Sequence, residues 1–252
     1  MTRAAPRNPI VMIPSRLAST RLPGKPLADI AGEPMIVRVW RKAVAASVGP
    51  VVVACGDREI AAAIAAAGGR AVLTEPELPT GSDRIAAALA ALDPLRRHDA
   101  VINVQGDLPA LDPAAVRLAA EGLADPAIDI ATLGAVILDP AALADTAVNK
   151  VVAGFADPAG WARAVYFSKA VVPWGDGPYY EHIGLYAYRR EALERFVSLP
   201  QGVLERRERL EQLRALEDGM AMAVALIEPA RLGVQVDTPA DLARVRALLR
   251  GG

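Results

Sequence analysis

The stretch "PIVMIPSRLASTRLPGKP", residues 9–26, is where the fold class is decided. It opens with a short apolar run, "PIVMIP" (9–14), and continues into a loop that holds Arg16, Arg21 and Lys25. A continuous apolar run of this length is typical of a strand that is buried on both faces of a parallel sheet. The chain is therefore predicted to begin with a buried strand that ends in a cationic loop.

Strands and helices alternate through the first half of the chain. Further strand-like runs are "PVVVAC" (50–55), "RAVL" (70–73) and "DAVINVQ" (99–105), and helical patterns cover 35–46, 58–67, 82–92 and a stretch from Pro113. The helix over 58–67 is expected to stop at Gly68-Gly69. This order predicts an α/β fold with a doubly wound, mostly parallel central sheet. Ligands bind such sheets at the carboxyl ends of the strands, so the cationic loop and "QGD" (105–107) are expected at one edge.

The second half of the chain is richer in strands. Strand-like runs occupy 129–137, 150–156, 161–168, 182–189 and 221–228, and a charged helix is predicted over 203–217. A last helix is predicted over 238–249, with Thr238 as its N-cap and Pro239 in its first turn. These runs predict a smaller, mixed α/β portion after the parallel one.

Composition excludes several classes of function. The net charge is −1 and the chain has one cysteine, Cys55. No apolar run approaches the roughly 20 residues that span a bilayer. We therefore expect no nucleic-acid or membrane partner, no internal disulfide and a cytoplasmic location.

Three cations in a loop behind a buried strand point to phosphate binding. A solvated surface loop is the alternative. The loop is not a Walker P-loop, because Ser19 stands where that pattern requires glycine and Pro26 stands where it requires serine or threonine. We expect it to hold a triphosphate with side chains and a few backbone amides.

Two acidic residues are candidates for a metal site. Asp107 follows a predicted strand and Gly106, and Asp237 is expected between a strand and the last predicted helix. Magnesium takes hard oxygen ligands, usually one or two carboxylates together with phosphate oxygens. The alternative for Asp237 is a turn or capping role, since aspartate before Thr-Pro is common in turns.

Sequence motifs along almost the whole chain resemble those of the sugar-acid cytidylyltransferases. The resemblance begins with "IPSRLASTRLPGKPLADIAGEPMIVRVW" (13–40). It continues, in order, through "TGSDRIAAAL", "VINVQGDLP", "AVYFSKAVVPW", "HIGLYAYRR", "LERRERLEQLRALEDG" and "GVQVDTPADLARVR".

The resemblance implies a reaction and an organisation. The anomeric hydroxyl of 3-deoxy-D-manno-octulosonate (Kdo) would attack the α-phosphorus of CTP, with Mg²⁺ as cofactor, releasing pyrophosphate in lipopolysaccharide biosynthesis. It also implies a homodimer. A nucleotide-binding portion would cover 1–128, and a sugar-acid-binding and dimerisation portion 129–228. Residues 229–252 would return to the main domain with the metal-site aspartate and the last helix.

Site residues follow from the same resemblance. The catalytic set would be Arg16, Lys25, Asp107 and Asp237, with both aspartates binding metal. CTP would also contact Pro14, Arg21, Ser82, Asp83, Arg84 and Gln105. The sugar acid would contact Gln105, Lys169, His182, Tyr186, Glu211 and Gln212.

Simpler interpretations exist for part of the sugar-acid set. A lone histidine beside an apolar strand, as at His182, is usually a satisfied polar group. Glu211 and Gln212 lie in a charged helical pattern, for which a solvated face is the default. His182 and Tyr186 are four residues apart in one predicted strand, so both could point to the same face.

Lys169 departs from the family pattern. Members of the family commonly carry arginine there, and a guanidinium binds a carboxylate through two hydrogen bonds, whereas an ammonium is a point charge. The same chemistry on 8-amino-Kdo or a nonulosonic acid therefore stays open. A non-catalytic nucleotide-binding protein is a further alternative, although none of the expected metal or triphosphate residues is missing.

Overall fold

The computed structural model describes residues 4–18, 21–231 and 233–250, so Ser19 and Thr20 of the cationic loop lie outside the described residues. The described chain divides into two compact units. One comprises Asn8–Arg117 and the described residues from Ala230 onward. The other comprises Leu118–Pro229 and the described residues before Asn8. We call them the first and the second unit. The predicted α/β class is confirmed.

Parallel strands form the main sheet of the first unit. The strands of the whole unit are β1 (Pro9–Ser15), β2 (Asp29–Ile30), β3 (Glu33–Pro34), β4 (Val51–Cys55), β5 (Arg70–Leu73) and β6 (Ala100–Asn103). The order is β5-β4-β1-β6 and every neighbouring pair is parallel, whereas β2 and β3 form a separate antiparallel pair. Because the chain adds β4 on one side of β1 and β6 on the other, the strand order reverses beside β1.

Helices follow the strands of this sheet, at α1 (Met35–Ala45), α2 (Arg58–Ala66), α3 (Gly81–Leu92) and α4 (Pro113–Glu121). The predicted glycine stop of α2 is confirmed. Gly68 adopts a φ of 82°, its N–H donates to the carbonyl of Ala65 at 3.0 Å, and Gly69 donates to Ile64 at 2.9 Å. This double hydrogen bond satisfies carbonyls at the end of the helix.

The second unit is mostly antiparallel. Its elements are β7 (Ile130–Val136), α5 (Pro140–Ala144), β8 (Lys150–Ala153), β9 (Trp161–Ser168), β10 (Tyr180–Arg189), α6 (Arg190–Ser198), α7 (Val203–Glu208), α8 (Leu213–Glu217) and β11 (Met222–Leu226). The order is β10-β7-β11-β9-β8, in which β7 and β11 are parallel and the other pairs antiparallel. The sheet of the first unit is thus parallel and the strands of the second unit are mixed, which is the mixed portion expected from the sequence.

The single helix predicted over 203–217 is wrong. The structure has α7 and α8 there, separated at Arg209, whose φ of 57° is left-handed and cannot continue a right-handed helix. Glu211 and Gln212 consequently lie in the connection before α8. The sequence interpretation also missed α6.

The C-terminal stretch packs within the first unit. Helix α9 (Pro239–Arg250) begins as predicted: the N–H of Asp241 donates to Oγ1 of Thr238 at 3.2 Å, and the N–H of Thr238 donates to Oδ2 of Asp241 at 2.9 Å. Leu242 and Val245 of α9 share a buried apolar cluster with Ile30, Met35 and Val236. This cluster fixes the backbone next to Asp237.

No helix in the described part of the chain combines the length and the apolar character needed to cross a membrane.

Candidate active site

Acidic and basic side chains from distant parts of the sequence meet in the first unit. Nζ of Lys25 donates to Oδ2 of Asp107 at 3.0 Å and to Oδ1 of Asp237 at 3.0 Å. Nη2 of Arg21 lies 3.1 Å from the same oxygen of Asp237. The two carboxylates predicted to share a metal therefore lie on one side of the molecule, beside the cationic loop.

Backbone contacts hold these acids in place. The N–H of Val236 donates to the carbonyl of Asp107 at 2.9 Å, which ties the segment before Asp237 to the turn after β6. Residues 233–237 have no regular secondary structure, so Asp237 follows an irregular connection and not the strand expected from the sequence. A Cβ at Gly106 would lie 2.8 Å from the carbonyl oxygen of Pro14, and only glycine allows this approach.

The environment of Lys25 favours its charged form. Burial lowers the pKa of its ammonium, but the charges and hydrogen bonds of Asp107 and Asp237 outweigh burial, and the pKa lies above its ordinary value. Lys25 is therefore a fixed positive charge at neutral pH.

This cluster borders a pocket of about 450 Å³. Eight of the residues predicted from the sequence line it: Pro14, Arg16, Arg21, Lys25, Arg84, Gln105, Asp107 and Asp237. Gln235 was missed. Its Nε2 lies 3.3 Å from Oδ2 of Asp107 and 3.4 Å from Oδ2 of Asp237, so it donates to both acids. Its place two residues before Asp237 in "VQVDTP" was the available signal.

Ser82 and Asp83 are not among the lining residues. Asp83 instead takes part in the N-terminal cap of α3. Its N–H donates to Oγ1 of Thr80 at 3.1 Å, and its carboxylate accepts from the same hydroxyl at 2.8 Å. Ser82 is buried in the first turn of that helix. Thr80 and Gly81 line the pocket in their place.

Arg84 is a nearly fully buried arginine that shapes the pocket wall. Its guanidinium is hydrogen-bonded to Oγ1 of Thr74 at 2.6 Å and to the carbonyls of Glu75 at 3.1 Å and Pro76 at 3.0 Å. Burial, together with repulsion from Arg16, lowers its pKa. Arg84 thus holds the 74–76 turn and places positive charge behind the pocket.

The acids fit a hard divalent cation. Oδ1 of Asp107 is buried and has no hydrogen-bond partner among the described residues. A buried carboxylate oxygen without a donor is costly, and a cation would satisfy it. The described residues contain no group of three or more His, Cys, Asp or Glu side chains arranged for a metal. Two carboxylates completed by phosphate oxygens are nevertheless a set that magnesium uses.

Part of the predicted sugar-acid set forms a buried cluster in the second unit. Nε2 of His182 lies 3.1 Å from Oγ1 of Thr132, and Nδ1 lies 3.4 Å from Nε2 of Gln212. The His182 ring is 4.7 Å from Phe167 and 5.4 Å from Tyr186, measured between ring centroids. Burial lowers the pKa of His182 to about 3, so its imidazole is neutral at physiological pH.

The environment of Tyr186 keeps its hydroxyl protonated. Burial raises the pKa of this phenol well above its ordinary value, and Tyr188 and the charge of Glu211 raise it further. The charge of Glu211 therefore acts on the Tyr186 hydroxyl.

An irregularity in β10 brings His182 and Tyr186 together. Ile183 pairs with Leu133 and Tyr186 pairs with Thr132, so β10 advances three residues while β7 advances one. Without this bulge, residues four apart in a strand would be separated by about 13 Å. The expectation that both side chains share a face is confirmed, and the bulge explains why their rings touch.

Lys169 is held through its backbone. Its N–H donates to Oε2 of Glu208 at 3.1 Å, and its carbonyl accepts from Nζ of Lys150 at 3.1 Å. The fully buried Lys150 ammonium also donates to the carbonyls of Asp145 and Val148, and burial lowers its pKa. The backbone next to the Lys169 side chain is therefore fixed from both sides.

The family model for cytidylyltransferases matches residues 10–222, which identifies the chain with this sheet and pocket as a nucleotidyltransferase. The chain is 60% identical over 246 residues to 3-deoxy-manno-octulosonate cytidylyltransferase of Rhodospirillum centenum, covering 98% of this chain and 95% of the relative. It is 59% identical over 242 residues to the protein of the same name from Methylorubrum populi, covering 96% and 97%. The chain belongs to the 3-deoxy-manno-octulosonate cytidylyltransferase family.

A solved structure agrees with this assignment. The CMP:2-keto-3-deoxy-manno-octonic acid synthetase complexed with CTP superimposes with a TM-score of 0.88 at 36% identity. The match covers 97% of this chain and 99% of that one.

Proposed function

We propose that this protein transfers CMP from CTP to the anomeric hydroxyl of Kdo, giving CMP-Kdo and pyrophosphate for lipopolysaccharide biosynthesis. The observation that carries the proposal is the convergence of Asp107 and Asp237 on Lys25, in a chain 60% identical to a 3-deoxy-manno-octulosonate cytidylyltransferase. A non-catalytic protein would have no need to keep two acids and three cations around one pocket.

The triphosphate of CTP occupies the pocket at the end of β1. Arg16, Arg21 and Lys25 line it, and their charges match the phosphate oxygens. Gln105 stands on the same wall, next to the acids. The strand order that reverses beside β1 supports a doubly wound arrangement, in which this edge is the expected nucleotide site.

Asp107 and Asp237 are the residues that would hold Mg²⁺. When bound, the ion neutralises phosphate charge and polarises the phosphorus that is attacked. The ammonium of Lys25 hydrogen-bonds to both acids and holds their carboxylates side by side. Arg21 and Lys25 can then exchange a carboxylate oxygen for a phosphate oxygen as the nucleotide binds.

The second unit supplies the sugar-acid contacts. His182, Tyr186 and Gln212 form one cluster, Glu211 is coupled to it, and the Lys169 ammonium provides positive charge for the carboxylate. Phosphoryl transfer needs little covalent work from the protein, so the main task of these residues is to orient the anomeric hydroxyl.

A cytoplasmic homodimer is the form in which we expect the enzyme to act. The second unit exposes large apolar side chains in the 161–189 segment, among them Val165 at 65% and Trp174 at 99%. Such exposure supports an interface there. Mass measurement in solution tests this, and a monomer at all concentrations would contradict it.

Pyrophosphate release with CTP, Mg²⁺ and a panel of sugar acids tests the function. We expect turnover with Kdo, and with ATP in place of CTP we expect little. Preference for 8-amino-Kdo or a nonulosonic acid would contradict the proposed substrate and favour the alternative that Lys169 leaves open. CTP binding without turnover on any acid would contradict the enzymatic function.

A further inference from the structure

Thr132 lies in the middle of β7, is fully buried, and places a hydroxyl against the predicted sugar-acid cluster. Its Oγ1 is 2.9 Å from the carbonyl oxygen of Leu185, 3.1 Å from that of Ile183 and 3.1 Å from Nε2 of His182. A threonine hydroxyl has one hydrogen to donate, and carbonyl oxygens only accept. The hydrogen is therefore directed to the carbonyls, and Nε2 of His182 must donate to Oγ1.

The other ring nitrogen of His182 then has a defined role. A neutral imidazole carries hydrogen on one nitrogen only, so a protonated Nε2 leaves Nδ1 with a lone pair. The amide nitrogen of Gln212, 3.4 Å away, can donate to that lone pair. The contacts on both sides of the ring agree on the same tautomer.

We propose that Thr132 is a positioning residue that holds His182 as the Nε2–H tautomer, so that Nδ1, which faces the Gln212 amide here, is a hydrogen-bond acceptor that a hydroxyl group of the sugar acid takes over from Gln212 on binding. This inference rests on the proposed function. A neutral acceptor nitrogen selects an O–H donor and does not bind a carboxylate, which offers only acceptor oxygens. The carboxylate of the substrate is left to a cation, for which Lys169 is the predicted residue.

The same hydroxyl supports the bulge that assembles the cluster. Ile183 and Leu185, whose carbonyls it contacts, lie between His182 and Tyr186. Thr132 therefore links the ring orientation of His182 to the backbone path that brings Tyr186 within 5.4 Å of it. Valine would fill the same space without the hydroxyl, whereas serine would keep the hydroxyl and lose only a methyl group.

The tautomer can be read directly by nitrogen-15 NMR of the imidazole rings. The chain has two histidines, His98 and His182, so a His98→Gln variant assigns both sets of signals. We expect wild-type His182 to show hydrogen on Nε2 and a lone pair on Nδ1 from about pH 6 to about pH 8. Thr132→Val should give a mixture of tautomers or hydrogen on Nδ1, and Thr132→Ser should restore the wild-type pattern.

Steady-state kinetics give the second measurement. Loss of one oriented acceptor should raise the KM for Kdo about 10-fold in Thr132→Val and leave the KM for CTP within about twofold. Thr132→Ser should stay near wild type. Hydrogen on Nδ1 in the wild-type protein would overturn the proposal, even if the valine variant does not fold. An unchanged tautomer together with an unchanged KM for Kdo in the valine variant would do the same.

The failure of the proposed function would be visible separately. If the wild-type protein does not use Kdo, the proposed role of Nδ1 as an acceptor for the sugar acid is wrong. Loss of the Nε2–H signal in Thr132→Val would still show that Thr132 controls the tautomer of His182.

Discussion

Nζ of Lys25 lies 3.0 Å from Oδ2 of Asp107, although the two residues are 82 positions apart in the sequence. The same ammonium contacts Asp237, which is 212 positions away. The ammonium thus offsets the repulsion between two carboxylates that would otherwise disfavour a shared site. The contact to Lys25 uses Oδ2 of Asp107 and leaves its buried Oδ1 without a hydrogen-bond partner among the described residues.

Replacement of Asp107 by asparagine should lower the turnover of CTP and Kdo by a factor of about 100 or more, since it removes a charge-stabilising ligand from the reaction site. The fold should persist, because asparagine has nearly the same shape. Pyrophosphate release and circular dichroism measure the two effects. Glu33→Gln removes a carboxylate that pairs with Arg41 outside the pocket and serves as the matched control. Equal turnover in both variants would refute the role of Asp107.

Gly106→Ala should weaken the binding of CTP and lower the free energy of unfolding. The new Cβ would lie 2.8 Å from the carbonyl oxygen of Pro14. Neither atom is at the end of a flexible side chain, so only a shift of the backbone can relieve the clash. We expect a cost of about 1–3 kcal/mol, the usual range for overpacking. Gly154→Ala, where no atom lies within 4 Å of the added Cβ, should change stability by about 0.5 kcal/mol or less. Denaturant unfolding compares the two variants, and equal costs would contradict the close approach.

The sequence predicted the first unit well because its strands are continuous apolar runs and its helices carry standard stop signals. β5 at Arg70–Leu73 and the Gly68 stop of α2 match the predictions residue by residue or nearly so. The local pattern is sufficient in such elements, since an apolar run marks the bounds of a strand and a glycine marks the end of a helix.

The second unit shows where local patterns fail. The left-handed Arg209 between α7 and α8 has no sequence signal, because it is neither glycine nor asparagine and the tertiary contacts of the helices decide its conformation. The bulge beside His182 is set by the pairing of β10 with β7, which lies outside any local window. Gln235 was missed for a related reason, since its contacts to Asp107 bridge distant parts of the chain.

Acid should destabilise the protein through His182. The pKa of this imidazole is about 3 in the folded chain and about 6.5 in the unfolded chain, so the unfolded state binds the proton more tightly. Stability should therefore fall as the pH drops below about 6.5, by up to about 1.4 kcal/mol for each pH unit. His182→Gln cannot take up this proton and should show a shallower acid limb in denaturant titrations. His98→Gln keeps His182 and should keep the steeper limb; identical slopes in the two variants would contradict the prediction.

A buried ion pair joins α7 to α8 and offers a last test. Nε and Nη2 of Arg214 lie 2.8 and 2.7 Å from the two carboxylate oxygens of Glu205, and both side chains are less than a tenth exposed. Arg214→Met leaves a buried carboxylate without its partner and should lower the free energy of unfolding by about 3–5 kcal/mol. Arg195→Met breaks a partly exposed pair with Asp218 and should cost less than Arg214→Met.

The double variant Arg214→Met/Glu205→Leu distinguishes the energy of the ion pair from the energy lost when each side chain's packing is changed. Once the arginine is gone, removal of the carboxylate also removes an unpaired buried charge, so the double variant should be more stable than the sum of the single variants implies. We expect a coupling energy of about 1–3 kcal/mol from denaturant unfolding of the full cycle. Additive costs would show that the two side chains act independently, and would contradict the predicted coupling.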